Sequence, residues 1–388
     1  MRLAPLALLG VALTAPAAAQ QIQFSALLRG ELGYGTNPFL RAGVTKGSGL
    51  ISGSFAPRFF YETARSTTTL SGSYDRDQYF SGFGRTDSAR VSLVRMDRLT
   101  EHLASTITAG FSTTNRATVS DPDADNEPLN IGRRTYRSNG QIQLQYQATA
   151  MDQFSGGAQI NHLSYGNREG SIPGLASSAY TQYGGNFGYT RVIDARTSLG
   201  AQVTVSAVRS EFYPDSRTVQ PAITAKRQLS AIWSIDGHVG LVLQHVSGPF
   251  ANSVTSVGYG VNLCGTYPRT HICLNAQHQT SPSGYGSLRT VTGVGANLSH
   301  DLTEHSRISA NAQYYKSSAD QTLLGPSVIS NSQAILTSVG YDRDLTQRLS
   351  AGFDGSYHWR KSDLRTQANG AGHAIGGRIH VTAKLGRI

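Results

Sequence analysis

The chain has 388 residues, a formal net charge of +10 and a hydrophobic fraction of only 39%, which argues against one large helical or α/β core at this length. Glycine (42) and tyrosine (18) are abundant, methionine (3) is scarce and charged residues make up 15%. That balance suits many short strands joined by turns and excludes a disordered chain, which combines high charge with few aromatics.

Residues 1–19 read as a secretory signal peptide: Arg2 carries a positive charge, residues 3–14 form an apolar run, and Ala17, Ala18 and Ala19 are small, so cleavage is expected after Ala19. The barrel region is then 20–388. The leader's apolar run is shorter than the roughly 20 residues of a spanning helix, and no later run approaches that length. A membrane crossing by the mature chain therefore has to be made of strands closed into a barrel, the β arrangement that satisfies every backbone group in lipid.

Period-two alternation supplies such strands. In the first, Phe24, Ala26, Leu28, Gly30, Leu32 and Tyr34 alternate with Gln23, Ser25, Leu27, Arg29, Glu31 and Gly33. In the next, Ile51, Gly53, Phe55, Phe59 and Tyr61 alternate with Ser52, Ser54, Ala56 and Arg58. The clearest case is 140–148, where Ile142, Leu144, Tyr146 and Ala148 alternate with Gln141, Gln143, Gln145 and Gln147. A row of uncharged amides opposite an apolar row suits a wet, enclosed lumen. Later strands repeat the pattern, with Leu199, Ala201, Val203, Val205 and Ala207 in one, and Ile375, Gly377, Ile379, Val381, Ala383 and Leu385 in the last.

Short turns with a common local pattern recur near residues 98–103, 301–306 and 344–349, with looser relatives at 150–153, 193–196 and 228–231. Longer connections fall near 35–48, 118–134, 166–177, 320–330 and 364–370. About nine hairpins result, hence an all-β, transmembrane, antiparallel up-and-down β-barrel of about 18 strands, with 16 as the alternative, short periplasmic turns and longer extracellular loops. Tyr34, Tyr74 and Trp359 are expected at the outer interface and Tyr61, Tyr146 and Trp233 at the inner one. A periplasmic β-sandwich or solenoid would not need apolar rows on nearly every strand.

Cys264 and Cys273 are the two cysteines. Alternation places both on the lumen face of adjacent strands beside a turn, and a disulfide across the hairpin is expected in an oxidising compartment; a metal site is not, with only His271 nearby. Asp121, Asp123 and Asp125 resemble the start of a calcium loop, but the sixth-position glycine and the distal glutamate are absent, so a solvated acidic tip is preferred. The chain has no Gly-x-Ser-x-Gly, no His-Glu-x-x-His, no phosphate-binding glycine loop and no dinucleotide fingerprint. No enzyme, cofactor or nucleic-acid partner is expected.

Basic residues recur in the polar phase: Arg29, Arg58, Arg90, Arg137, Lys226, Arg360, Arg378 and Lys384, against the acids Glu31, Asp75, Asp236 and Asp354. Together with Gln141, Gln143 and Gln145 the basic residues form the candidate pore lining, and Gln147 and Tyr315 on the same face are further groups able to hydrogen-bond to or stack on sugars. An excess of fixed positive charge favours anions over cations; mutual pairing across the lumen would cancel it.

The segment Gly33-Tyr34-Gly35-Thr36-Asn37-Pro38 resembles a Gly-Tyr-x-x-Asn-Pro motif of the proteobacterial β-barrel porins called beta-barrel porin 2, a group that includes barrels associated with exopolysaccharide production. The signal peptide, length and strand cadence agree with it. The resemblance implies an outer-membrane conduit of a Gram-negative bacterium that passes an anionic or carbohydrate polymer. Its partners would be outer-membrane lipid and lipopolysaccharide, the barrel-assembly machinery and periplasmic polysaccharide-export components. Such barrels usually end in an aromatic residue, where this chain has Ile388. A small-solute diffusion porin and a closed structural or surface-binding barrel are the alternatives.

Overall fold

The computed structural model describes residues 21–37, 40, 44–115, 134–166, 179–211, 214–247, 252–282, 288–319, 332–362 and 370–386. The expected leader at 1–19 and the acidic tip Asp121, Asp123 and Asp125 lie outside these residues.

The described residues form eighteen strands: β1 (Gln21–Thr36), β2 (Gly47–Glu62), β3 (Ser66–Tyr79), β4 (Arg85–Arg98), β5 (Leu103–Thr114), β6 (Thr135–Gln147), β7 (Asp152–Tyr165), β8 (Tyr180–Asp194) and β9 (Thr197–Ser210), followed by β10 (Ser216–Gln228), β11 (Trp233–Val246), β12 (Asn252–Thr266), β13 (Thr270–Pro282), β14 (Leu288–Thr303), β15 (Ser306–Ala319), β16 (Ser332–Thr346), β17 (Leu349–Ser362) and β18 (Gly370–Gly386). Each strand pairs with the next, and β18 returns to β1 antiparallel from Ser25↔Gly386 to Gly35↔Gly376. That last pairing closes the sheet, so no edge is left with unpaired backbone groups.

Closure gives the alternating side chains two different surroundings. One phase is exposed and apolar: Leu32 is 61%, Ile223 64% and Ile379 66% exposed. Across strands these residues meet their own kind, as in Leu28↔Phe55↔Tyr74 and Phe353↔Ile379↔Leu32. The opposite phase contains the fully buried side chains His380, Val242, Val291, Thr86 and Asp77. A side chain on a closed barrel can be covered from all sides only when it points inward, so this phase faces the lumen. The apolar phase is the outer surface, too large and continuous for water, and it is the surface with which the barrel spans a membrane. Tyr34, Tyr74, Trp359, Tyr61, Tyr146 and Trp233 all belong to it.

At one end the strands are joined by connections of two to four residues, at 63–65, 99–102, 148–151, 195–196, 229–232, 267–269, 304–305 and 347–348. A hydroxyl near the start of several of these turns accepts the next free backbone N–H groups. Thr100 Oγ1 accepts from His102 and Leu103, Thr149 Oγ1 from Met151 and Asp152, Ser230 Oγ from Ile232 and Trp233, and Thr346 Oγ1 from Arg348 and Leu349. This is why Thr recurs at the turns read from the sequence: its short side chain replaces a backbone acceptor in a tight reversal. The opposite end has the longer connections.

Candidate functional site: the lumen wall

The inward rows include two adjoining, unlike walls, with β10 to β15 completing the ring. On β5 to β9 they consist mainly of amides, hydroxyls and glycines, with a few apolar side chains such as Leu163 and Val208 toward the long connections and Arg137 the single basic side chain in the rows among the described residues. Gln141 faces Gln159 across the β6–β7 rung, Asn139 faces Asn161, and Gln145 faces Ser155. Gly157 lies between Gln143 on β6 and Asn186 on β8, and a Cβ there would occupy the space taken by both amides. Glycine on the middle strand lets side chains two strands apart approach over it.

The wall formed by β16, β17, β18, β1, β2, β3 and β4 is charged. Arg29 reaches Glu31 at 2.5 Å and Asp354 at 2.5 Å. Arg378 reaches the other oxygen of Glu31 at 3.0 Å, and Lys384 Nζ reaches Asp344 at 3.0 Å. His380, whose side chain is fully covered, places Nε2 2.8 Å from Asp342 and Nδ1 3.0 Å from the Arg29 guanidinium. Nδ1 is also 3.0 Å from Asp354 Oδ2, so a guanidinium and a carboxylate share that edge of the ring while Nε2 faces Asp342. His380 crosses β17 to reach Asp342 at Gly352, where a Cβ would meet the imidazole. Further along, Asp77 accepts from Ser52 Oγ at 2.7 Å and from Thr86 Oγ1 at 3.3 Å.

All the residues selected as candidate lining lie in the inward phase: Arg29 on β1, Arg58 on β2, Arg90 on β4, Arg137, Gln141, Gln143 and Gln145 on β6, Lys226 on β10, Arg360 on β17, and Arg378 and Lys384 on β18. Their states differ. Arg29, Arg378 and Lys384 are held in ion pairs, whereas Arg58, Arg90 and Lys226 are exposed to the lumen and carry no ion pair among the described residues. Lys226 stands across from Asp236, whose carboxylate accepts from Asn262 at 3.0 Å.

The expected excess of positive charge is corrected on the charged wall. Arg29, Arg58, Arg90, Arg360, Arg378 and Lys384 are matched one for one by Glu31, Asp75, Asp77, Asp342, Asp344 and Asp354, and Arg98 and Glu62 add one of each at the turn end. The sequence reading left out Asp77, Asp342 and Asp344, although each continues an inward row, Asp77 after Asp75 and Asp342 and Asp344 after Ser338 and Gly340. His380 was missed too. Its signal was its place in the same row as Arg378 and Lys384.

The wall is thus balanced in sum but uneven in space. Arg58 shares a row with Ser25, Ser71 and Ser92, and the hydroxyls of Ser71 and Ser92 are hydrogen-bonded at 2.7 Å. Arg90 shares the next row toward the long connections with Ser73, Ser112 and Arg137. Arginines on alternate strands, separated by hydroxyls, present hydrogen-bond donors toward the bore. At the turn end, Cys264 and Cys273 face each other on β12 and β13 with Cα atoms 4.2 Å apart and form a disulfide, with His271 Nε2 3.2 Å from the Cys273 sulfur.

No protein-family model matches the chain, and no curated protein does. Its fold is similar to that of the FrpB iron transporter from Neisseria meningitidis (F5-1 variant) in its apoprotein form, with a TM-score of 0.50 at 8% identity over 94% of this chain and 81% of that one. OccK2 (OpdF) of Pseudomonas aeruginosa, solved in complex with glucuronate, aligns with a TM-score of 0.47 at 12% identity over 95% of this chain and 98% of that one. OprD of Pseudomonas aeruginosa aligns with a TM-score of 0.45 at 10% identity over 95% and 96%.

Proposed function

We propose that the barrel is an outer-membrane channel of a Gram-negative bacterium that passes a hydrophilic anionic or carbohydrate solute without covalent chemistry. In this reading the short turns are periplasmic, the long connections are extracellular, and residues 1–19 are the leader that brings the chain out of the cytoplasm. The observation that carries it is the division of the lumen: Arg58 and Arg90 have no ion pair among the described residues and stand among hydroxyls, next to a wall of uncharged amides that can hydrogen-bond a polar solute but does not repel it. Unpaired cations in a narrow aqueous path lower the barrier to anions, while those locked to carboxylates contribute little net field.

The test is the reversal potential of the purified barrel in a planar bilayer under a salt gradient. Anion preference is expected, with Arg58→Glu/Arg90→Glu shifting it toward cations and Lys384→Gln, a paired site, changing it less. Cation preference in the wild type would overturn the reading.

The finer reading, export of an anionic or carbohydrate polymer with periplasmic export partners, rests on the resemblance at Gly33 to Pro38. It is checked by deleting the gene in the host and looking for polymer retained in the periplasm. A small-solute porin is favoured by a different observation. Inward-facing Leu163, Tyr180 and Val208 form a buried cluster with Tyr165 at the long-connection end, and Val242 and Val291 are also buried toward that end, which places apolar side chains along the path a polymer would take. Liposome-swelling rates with sugars of increasing size separate the two, since a porin cuts off sharply at oligosaccharide size.

A further inference from the structure

The outer wall has a groove of about 430 Å³ where β1, β2 and β3 run side by side, lined by Leu28, Ile51, Phe55, Tyr74, Arg76 and Gln78. Gly53 is in its floor and pairs with Gly30 on β1, and a Cβ at either position would meet nothing within 4 Å. Another outward glycine pair, Gly355↔Gly377, has the Phe353 ring 3.8 Å from where each Cβ would stand, whereas the trough at Gly30 and Gly53 is open and one side chain deep. At its side, in register with Gly53, stands Arg76.

Arg76 is exposed, points to the membrane side and has no ion pair. The carboxylate across from it, Asp87, is already taken: Arg134 holds both of its oxygens, at 2.7 and 2.9 Å. Arg85, across from Gln78 on the same outer face, is a second exposed arginine without an ion pair. Tyr74 stands two residues before Arg76 on the outer face of β3. The groove lies in the half of the barrel nearer the long connections.

An unpaired arginine facing hydrocarbon is costly unless an anion meets it, and an apolar trough with Arg76 in its lining and Arg85 on the next strand, across from the lining residue Gln78, complements an acyl chain that ends at a phosphate. We infer that this groove seats one phosphorylated, acylated glycolipid of the outer leaflet, with an acyl chain over Gly30 and Gly53 and its phosphate on Arg76 and Arg85. The site needs the barrel to lie in a membrane but is independent of what passes through the lumen.

The experiment is native mass spectrometry of the full, delipidated barrel with three added probes: bisphosphorylated lipid A, its dephosphorylated form and phosphatidylglycerol. Retention of one bisphosphorylated lipid A, at least tenfold above either other probe, is expected. Arg76→Gln/Arg85→Gln should lower it about tenfold, and Gly30→Leu/Gly53→Leu, which fills the trough, should lower it similarly. Heat-modifiable gel mobility reports folding, and the exposed arginine variant carries the test if the glycine variant does not fold. Equal retention of dephosphorylated lipid A or of phosphatidylglycerol, or unchanged retention by the folded arginine variant, overturns the proposal. Anion selectivity should be unaffected by Arg76→Gln/Arg85→Gln, so failure here is distinguishable from failure of the channel reading.

Discussion

The charged wall and the amide wall use the same backbone device for different chemistry. On the charged wall, Gly352 lets His380 of β18 pass over β17 to Asp342 of β16. On the amide wall, Gly157 gives the amides of Gln143 and Asn186 room over β7. In both places a missing Cβ turns the concave side of a closed sheet into a site where strands two apart communicate. The first joins ionised or charge-assisted groups, which are rigid and costly to disturb; the second joins neutral amides that water can replace. The lumen therefore has a stiff wall and, beside it, a compliant one.

The largest effects should follow from breaking the stiff wall. Glu31→Ala removes the carboxylate that Arg378 donates to and one of the two that Arg29 reaches, leaving Arg29 with Asp354 alone, so a loss of about 2–3 kcal/mol is expected, measured as a lower guanidinium midpoint for the purified barrel. A loss no greater than that of an amide-wall change would erase the contrast.

The two glycines offer a matched pair. Gly352→Val is expected to cost about 3 kcal/mol, because it displaces a covered imidazole from its carboxylate, and Gly157→Val about 1–2 kcal/mol, because the amides can turn toward water. Equal losses would show that backbone crowding, not the chemistry above the glycine, sets the cost.

Replacing both Cys264 and Cys273 by Ser should cost about 1–2 kcal/mol. The bridge spans 9 positions, but the β12–β13 hairpin restrains the same loop already, so the loss falls below the roughly 2.7 kcal/mol of chain-entropy arithmetic. Thermal unfolding with and without a reductant gives the value. The smallest effect is expected for Gln143→Leu/Gln145→Leu: stability within about 0.5 kcal/mol of wild type, lower single-channel conductance and an unchanged reversal potential.

Much of the barrel was legible in the chain because the two sides of one strand face media of opposite polarity. Tyr146 and Gln145 are neighbours in sequence, yet one meets lipid and the other the lumen, and that demand writes period two into every spanning segment. The turns were legible for a similar local reason, since Thr100, Thr149, Ser230 and Thr346 each serve a reversal only a few residues long. The lining was legible as a phase but not as a set of partners. Arg29 and Asp354 are separated by 325 positions and Lys384 and Asp344 by 40, and nothing local to either residue marks its partner. For the same reason Asp77, Asp342 and Asp344 were left out of the charge balance.

The sequence by itself determined that the chain is all-β, that its strands alternate between lipid and water, and that arginines and glutamines share the watery side. Those properties follow from side-chain polarity at a spacing of two and need no knowledge of neighbours. Tertiary structure decided how β18 meets β1, which cations are paired and which stand free, and where a glycine pair opens a trough in the outer wall. These depend on closure and register, which bring distant segments to within hydrogen-bond distance, and no window of the chain contains them.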